Sequence, residues 1–284
     1  MPNPISFAAL KNDLSASDRM PIAFIGHGSP MNAIVDNPYA KSWIELGKSL
    51  PRPQAILVIS AHWMTQGNTL VDISELPRTI HDFGRFPDEL FAQQYPAPGQ
   101  PALAKEVVSL LHSHHAEEDD SWGLDHGAWT VLKFLYPEAD VPVFQLSIDM
   151  TRDFDWHITI GRDLAELRDR GVLIIGSGNI VHNLPACRRA AGSIFSADAK
   201  VAPLDFASAF DAWFADRLED RDFAALAGRG REDADLKMAH PTVDHYLPAL
   251  SVAGAVDPQD QLMFMNDTID MGALSMRSFV FYGS

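Results

Sequence analysis

The sequence of 284 residues contains a single cysteine, Cys187, and no long apolar run. One cysteine cannot form a disulfide within the chain, which favours a reducing compartment such as the cytoplasm. The apolar runs, such as Ala55–Ile59, are far shorter than the roughly 20 residues that a membrane helix needs. Residues 1–19 also lack the basic end and apolar run of a secretory signal. We therefore expect a cytoplasmic protein without a membrane partner.

Basic residues are scarce as well. Lys and Arg number 22 against 38 Asp and Glu, so the formal net charge is −16. An anionic surface repels phosphate backbones, which argues against a nucleic-acid partner. Nucleotide-binding motifs are missing too, because Gly176–Val181 lacks the third glycine of a dinucleotide fingerprint and no Gly-Lys-Ser/Thr sequence occurs. The sequence is compatible with either a monomer or a homodimer.

Short runs rich in β-branched residues alternate with longer segments of helical period. This alternation is typical of an α/β fold with a mostly parallel central sheet flanked by helices. The predicted strands are Pro21–Ile25, Ala55–Ser60, Val141–Ser147, Val172–Gly176 and Ser278–Tyr282. The predicted helices are Tyr39–Ser49, Pro101–His115, Ala128–Leu135, Asp155–Arg170 and Leu204–Leu226. We expect loops over 75–99 and 191–203, and one domain over 20–284 after a leader of residues 1–19.

Three of the predicted strands lead into a histidine: His27, His62 and His182. Ligands bind at the carboxyl ends of the strands in an open α/β sheet, so these imidazoles can converge on one crevice. Neutral imidazole is the commonest metal-binding side chain. An isolated histidine at such a place more often caps a loop, but three at equivalent positions favour a metal site.

Other histidines allow more than one interpretation. His126, directly after Asp125, is either a general acid or base or part of a helix start that Asp125 caps. His245 is a further ligand, a substrate contact or a loop residue between two prolines. His81 either lines the entrance of the site or belongs to a solvated turn. We interpret four more as surface residues: His112, His114, His115 and His157.

Five motifs in a fixed order give the chain a family resemblance. They are Gly-His-Gly-Ser-Pro-Met-Asn (26–32), Ser-Ala-His-Trp (60–63), Thr-Ile-His-Asp-Phe-Gly (79–84), Gly-Leu-Asp-His-Gly-Ala-Trp (123–129) and Ser-Gly-Asn-Ile-Val-His-Asn-Leu (177–184). From about Met20 onward the chain resembles the class III extradiol ring-cleaving dioxygenases, in the branch of the 4,5-DOPA extradiol dioxygenases.

The resemblance implies roles for individual residues. It makes His27, His62, His182 and His245 metal ligands, with His182 a catalytic base in more distant relatives. It makes His126 the acid or base beside the substrate ring. As substrate contacts we expect Ser29, His81, Asp125 and His245. The carboxylate that commonly joins two histidines in non-haem iron oxygenases cannot be assigned from the sequence.

The activity implied is the cleavage of a catechol by O2 at a non-haem Fe(II) ion, with zinc able to occupy the site in purified protein. L-DOPA would give a seco-DOPA semialdehyde, which cyclises to betalamic acid or muscaflavin, with 4,5- and 2,3-cleavage both open. Two alternatives remain on the same scaffold. One is a zinc-dependent hydrolase, since a histidine-rich zinc site lowers the pKa of bound water to about 7; the other is a non-enzymatic metal-binding interaction protein.

Overall fold

A twisted sheet of eight strands with helices on both faces organises the computed structural model, which describes residues 19–192 and 201–283. The predicted α/β class with a mostly parallel central sheet is confirmed. Residues 1–18 of the predicted leader and residues 193–200 of the predicted loop over 191–203 lie outside the described residues.

The strands run from two to eleven residues, and most residues of the central strands are buried. They are β1 Ile22–Gly26, β2 Ala55–Thr65, β3 Thr69–Asp72, β4 Ala116–Asp119, β5 Val143–Asp149, β6 Val172–Gly178, β7 Gln261–Met265, β8 Ile269–Asp270, β9 Leu274–Ser275 and β10 Ser278–Tyr282. Every residue of β1, β5 and β6 is buried. Continuous burial explains why these strands read as unbroken apolar runs, since helices cover both faces of the sheet.

The strand order places the candidate site at the centre of the sheet. It runs β4-β3-β5-β2-β6-β1-β10-β7, with β8 and β9 forming a separate pair. The four central strands β5, β2, β6 and β1 are parallel neighbours. Strand β10 pairs antiparallel with β1, and β3 pairs antiparallel with β5. The carboxyl ends of the four parallel strands therefore meet at one edge, where a ligand can be held.

The helices that cover the sheet vary from one turn to four. They are α1 Pro38–Ser49, α2 Asp88–Phe91, α3 Pro101–Leu110, α4 His126–Leu135, α5 Phe154–Leu164, α6 Leu184–Ala191, α7 Asp205–Glu219, α8 Phe223–Gly228, α9 Ala234–Ala239 and α10 Leu247–Gly254. Buried side chains form two hydrophobic clusters. One includes Phe24, Leu57 and Ile174, and the other includes Ile25, Val58 and Ile175, so consecutive residues of each strand face opposite sides of the sheet.

Three predicted helices are shorter than expected. The helix over 101–115 ends at Leu110 and is followed by a 3-10 turn at His112–His114. The helix over 155–170 continues as a 3-10 helix after Leu164. The helix over 204–226 divides into α7 and α8 because Arg221 adopts a left-handed conformation with φ of 55°, which an α-helix cannot contain.

The interpretation of His114 and His157 as surface residues is wrong. His157 is 1% exposed and His114 is 4% exposed. The Nε2 atom of His114 lies 2.8 Å from a carboxylate oxygen of Asp163, and its ring contacts Trp156 edge-on. Amphipathic period alone did not reveal this burial because an imidazole fits either face of a helix once it has a partner. No helix among the described residues has the length and apolar character to cross a membrane.

Candidate metal centre

Five histidines from separate segments of the chain line one cavity of about 180 Å³. They are His27, His62, His126, His182 and His245. His27, His126 and His245 are less than a tenth exposed, whereas His182 and His62 are partly exposed, with 19% of the His62 side chain exposed. The structure thus brings together the three imidazoles that follow predicted strands and adds the two that the sequence left open.

Strand β1 delivers His27 to the cavity. The backbone N–H of His27 donates to the carbonyl of Gly178 at the end of β6, which continues the parallel pairing by one residue. A Cβ atom at Gly26 would lie 2.7 Å from the carbonyl oxygen of Met276, so only glycine fits between the two backbones. The close approach of β1 to the segment before β10 therefore fixes the backbone position from which the His27 side chain extends.

An irregularity in β2 delivers His62. Pairing with β5 is regular as far as Ile59 and resumes at Met64, so the residues between them bulge out of register. A bulge bends a strand and re-aims its side chains. His62 lies inside this bulge, within β2 rather than after its end, and the neighbouring Trp63 is fixed by stacking on Trp122.

His27, His62 and His245 form a nearly equilateral triangle. Their ring centroids are 5.1, 5.2 and 5.0 Å apart, and the Nε2 atoms of His27 and His62 are separated by 3.1 Å. A metal bound about 2.1 Å from each nitrogen, with tetrahedral to octahedral angles, needs nitrogens about 3.0 to 3.4 Å apart. The donor type and this nitrogen separation both fit a bound transition metal, and a ring nitrogen of His126 also lies within 4.8 Å of those of His27 and His62.

Hydrogen bonds to the opposite ring nitrogens orient this triangle. The Ser177 hydroxyl donates its proton to the carbonyl of Gly127, so it can only accept from His27. His27 Nδ1 therefore donates to Ser177 Oγ at 2.9 Å. His245 Nδ1 donates to Asp244 at 2.7 Å, and His62 Nδ1 lies 3.3 Å from Asp82. Acceptors at Nδ1 place the lone pair on Nε2, which is how metal-binding histidines are commonly oriented.

Asp82 serves two of the imidazoles. Its carboxylate accepts from His126 Nδ1 at 2.8 Å and from the His126 backbone N–H at 2.9 Å, and it is the same group that lies beside His62. Burial raises the pKa of Asp82, but the hydrogen bonds and the charge interaction with His126 together outweigh it, so the pKa lies below its usual value. An ionised Asp82 therefore holds His126 with its second nitrogen free for proton transfer.

His182 stacks face to face on His245. The centroids are 3.5 Å apart and the planes are inclined by only 4°. Lone pairs of an imidazole lie in the plane of its ring, so an ion in the plane of His245 is displaced by a full stacking distance from the plane of His182. No side-chain hydrogen bond holds the His182 ring among the described residues. This arrangement favours His245 over His182 as a ligand, and the ligand role of His182 stays a prediction.

Burial and mutual proximity keep several of these rings neutral. Burial lowers the pKa of His27, His62 and His182 well below 6.5, and the neighbouring imidazoles lower it further. Neutral rings at pH 7 retain the lone pairs that a metal requires. At pH 7 the cavity therefore offers unprotonated imidazole nitrogens to a metal ion.

The predicted substrate contacts fall into two groups. Ser29 lines the cavity, and its Oγ accepts from the Met31 N–H. His81 does not line it, since its Nε2 donates to the Gln93 carbonyl and its ring packs among aromatic side chains. Asp125 is fully buried behind His126, where it caps α4 and accepts from Ser60. The structure therefore shows the helix-capping alternative for Asp125.

Sequence reasoning missed three residues that orient the imidazoles: Asp82, Ser177 and Asp244. Asp82 lies beside the predicted His81, and Asp244 directly precedes His245. Such adjacency is the one signal that could have found the two carboxylates. Ser177 gave no signal, since a serine within a buried strand is equally compatible with a purely structural hydrogen bond.

A mostly parallel sheet with a histidine metal site at the carboxyl edge of its strands, next to an imidazole paired with a carboxylate, defines a metal-dependent α/β enzyme. Residues 21–279 match the family described as the catalytic LigB subunit of aromatic ring-opening dioxygenase. The chain belongs to this family, and the predicted class of extradiol ring-opening dioxygenase is confirmed.

Known proteins are similar to this chain along nearly its whole length. A protein of Escherichia coli (strain K12) named 4,5-DOPA dioxygenase extradiol is 44% identical, over 95% of this chain and 97% of its own. A protein of the same name from Beta vulgaris is 37% identical, over 91% and 95%. A crystal structure of an uncharacterized protein from Escherichia coli K12 superposes with a TM-score of 0.75 at 39% identity, covering 92% of this chain and 99% of that one.

Proposed function

We propose that this protein is a non-haem Fe(II) enzyme that uses O2 to open a catechol ring next to its two hydroxyl groups. The observation that carries the proposal is the cluster formed by the rings of His27, His62 and His245, with the Nε2 atoms of His27 and His62 3.1 Å apart, beside the His126–Asp82 pair. Three ligands leave room on one ion for both a chelating diol and O2. Family membership supplies the reaction class.

We assign His27, His62 and His245 as the metal ligands. When bound, the metal would hold the catechol oxygens and O2 together and stabilise the negative charge of the catecholate. Zinc also accepts an all-imidazole site, so the metal found in purified protein can differ from the active one.

His126 and His182 are the groups proposed to move protons. His126 is oriented by Asp82 through Nδ1, so its Nε2 can accept the proton of a catechol hydroxyl and return it later. His182 lies on the opposite side, stacked on His245, where a neutral ring is a second acceptor.

L-DOPA is the first substrate to test, because the similar proteins of Escherichia coli and Beta vulgaris are named for it. Cleavage would give a seco-DOPA semialdehyde that cyclises to betalamic acid or muscaflavin, according to whether the 4,5- or the 2,3-bond opens. We further propose a cytoplasmic monomer or homodimer without nucleic-acid or membrane partners, which the buried Cys187 and the net charge of −16 support.

The decisive experiment is reconstitution with Fe(II) under anaerobic conditions, followed by O2 uptake with a panel of catechols that includes L-DOPA. We expect stoichiometric O2 consumption and a yellow ring-opened product. Protein reconstituted with Zn(II) serves as the control and should bind metal without consuming O2. Absence of O2 uptake with every catechol, in protein shown to contain iron, would reject the proposal.

A further inference from the structure

Apolar side chains form the walls of the cavity beyond the imidazoles. Phe83 lies against His126, with ring centroids 5.5 Å apart, and Phe86 packs on Phe83. On the other side, Leu184 follows His182 by two residues, and Leu274 pairs with His182 through an isolated β-bridge. Pro30 and Met271 complete the lining. A substituent on a ring held by the metal must therefore pass between two apolar walls.

Positive charge is missing from these walls. Neither lysine nor arginine occurs in the cavity lining formed by residues 19–192 and 201–283. The exposed Arg85 stands in the loop between Phe83 and Phe86, and three carboxylates lie next to the site. Asp82 lies behind His126 and His62, Asp244 lies behind His245, and Asp270 adjoins Met271, where it accepts from the hydroxyl of Tyr39. The local charge has the same sign as the net charge of −16.

Among the described lining residues, the Ser29 hydroxyl is the one side-chain donor besides the imidazoles that a carboxylate on the substrate could meet. Leaving water for an apolar wall is unfavourable for an ionised carboxylate unless a cation or several N–H donors receive it. An uncharged hydrocarbon substituent gains instead from the burial of its surface against the same walls. The two kinds of catechol would bind the metal identically through their hydroxyl groups, so the difference arises from the substituent alone.

We propose that the site selects catechols whose ring substituent is uncharged and apolar, over catechols whose substituent is a carboxylate without a cation of its own. This inference rests on the proposed function and specifies its substrate class. L-DOPA is a separate case, because its ammonium group offsets its carboxylate and can approach the carboxylates beside the site. The walls formed by Phe83, Phe86, Leu184 and Met271 determine the preference.

The test compares dihydrocaffeate with its methyl ester, two substrates that differ in charge and by one methyl group. The Fe(II)-loaded protein is used, and kcat/KM is measured by O2 uptake. We expect the ester to exceed the carboxylate by about tenfold or more. Equal values, or a preference for the carboxylate, would overturn the inference while leaving the proposed function intact. Failure of all catechols would count against the proposed function instead.

A pair of variants tests whether the walls cause the preference. Leu184→Arg introduces a cation, and Leu184→Gln introduces a polar side chain without charge. We expect Leu184→Arg to raise the ratio of kcat/KM for dihydrocaffeate over its ester by about tenfold, with a much smaller change in Leu184→Gln. A ratio that moves equally in both variants would show that charge at the wall does not set the preference. Metal content and Kd for Fe(II), measured in parallel, show whether each variant retains the site.

Discussion

A single carboxylate, Asp82, contacts two imidazoles for which different roles are proposed. It accepts from His126 and lies beside Nδ1 of His62, so the proposed proton-transfer residue and a proposed metal ligand share one anchor. Such anchors fix both the tautomer and the direction of the ring. The position of His126 relative to His62 therefore depends on the side chain of one loop residue.

Asp82→Asn should lower kcat by about ten- to a hundredfold, because an amide of the same size cannot orient His126 and His62 as an ionised carboxylate does. Steady-state kinetics of the Fe(II)-loaded protein check this. Asp163→Asn is the matched control, since Asp163 contacts the buried His114 away from the cavity. An Asp82→Asn variant with unchanged kcat would remove the positioning role.

Replacement of His126 by alanine separates chemistry from metal binding. We expect kcat to fall by about a hundredfold or more, since general acid–base catalysis contributes about 10² to 10⁴. The iron content, measured by elemental analysis, should stay close to that of the unmodified protein. Loss of iron in this variant would make His126 a ligand rather than an acid or base.

His62→Ala should lose the bound metal, since His62 supplies one corner of the imidazole triangle. Elemental analysis after dialysis measures the loss directly. His81→Ala is the control, because His81 bonds to the Gln93 carbonyl and does not line the cavity. Full metal retention in His62→Ala would contradict the ligand assignment.

At the scale of elements, the close approach of β6 to the segment before α10 determines where His245 lies. A Cβ atom at Gly178 would fall 2.3 Å from the carbonyl oxygen of His245, whereas one at Gly84 would meet nothing within 4 Å. Since backbone rather than a flexible side chain occupies this space, any larger residue must displace His245.

Gly178→Ala should therefore weaken Fe(II) binding and lower the midpoint of thermal unfolding, while Gly84→Ala should change neither. Isothermal titration with Fe(II) under anaerobic conditions and a thermal melt provide the two readouts. Tight metal binding in a stable Gly178→Ala protein would show that the position of His245 does not depend on this contact.

The sequence predicted the elements that carry a strong pattern and missed those that do not. The buried runs of β1, β2 and β6 were recognised, and with them the convergence of His27 and His62. Strands β3 and β4 were missed because they have four residues each and β4, Ala-Glu-Glu-Asp, is charged and largely exposed. Asp82 lies in a loop with no period, so the pairing that brings it to His126 could be seen only in three dimensions.

On the scale of the whole molecule, buried histidines make stability depend on pH. Burial lowers the pKa of His157 and of His240 to about 4, and lowers those of His27, His62 and His182 as well. In the unfolded chain these imidazoles titrate near 6.5. The unfolded state therefore binds more protons below that pH, and acid favours unfolding.

The metal-free protein should keep its full free energy of unfolding above about pH 6.5 and lose it progressively towards pH 4. At pH 5, His157 and His240 each account for a loss of about 2 kcal/mol. Urea titrations at pH 7.5 and pH 5 measure the difference, and His157→Gln should reduce it. A free energy of unfolding that is the same at both values would contradict the assignment of neutral buried rings.

The pairing of β1 has a consequence for how the chain reaches its native state. Gly26 donates to Ser278, 252 residues further along, and the adjacent His27 is held by Ser177, 150 residues away. Contacts between such distant segments slow folding, since the entropy of loop closure must be overcome before they form. During synthesis, His27 and His62, which are 35 residues apart, are made long before Ser177 and His245. The triangle of proposed ligands is therefore complete only once His245 has been made, so loading of a metal through all three imidazoles would come late in synthesis or after it.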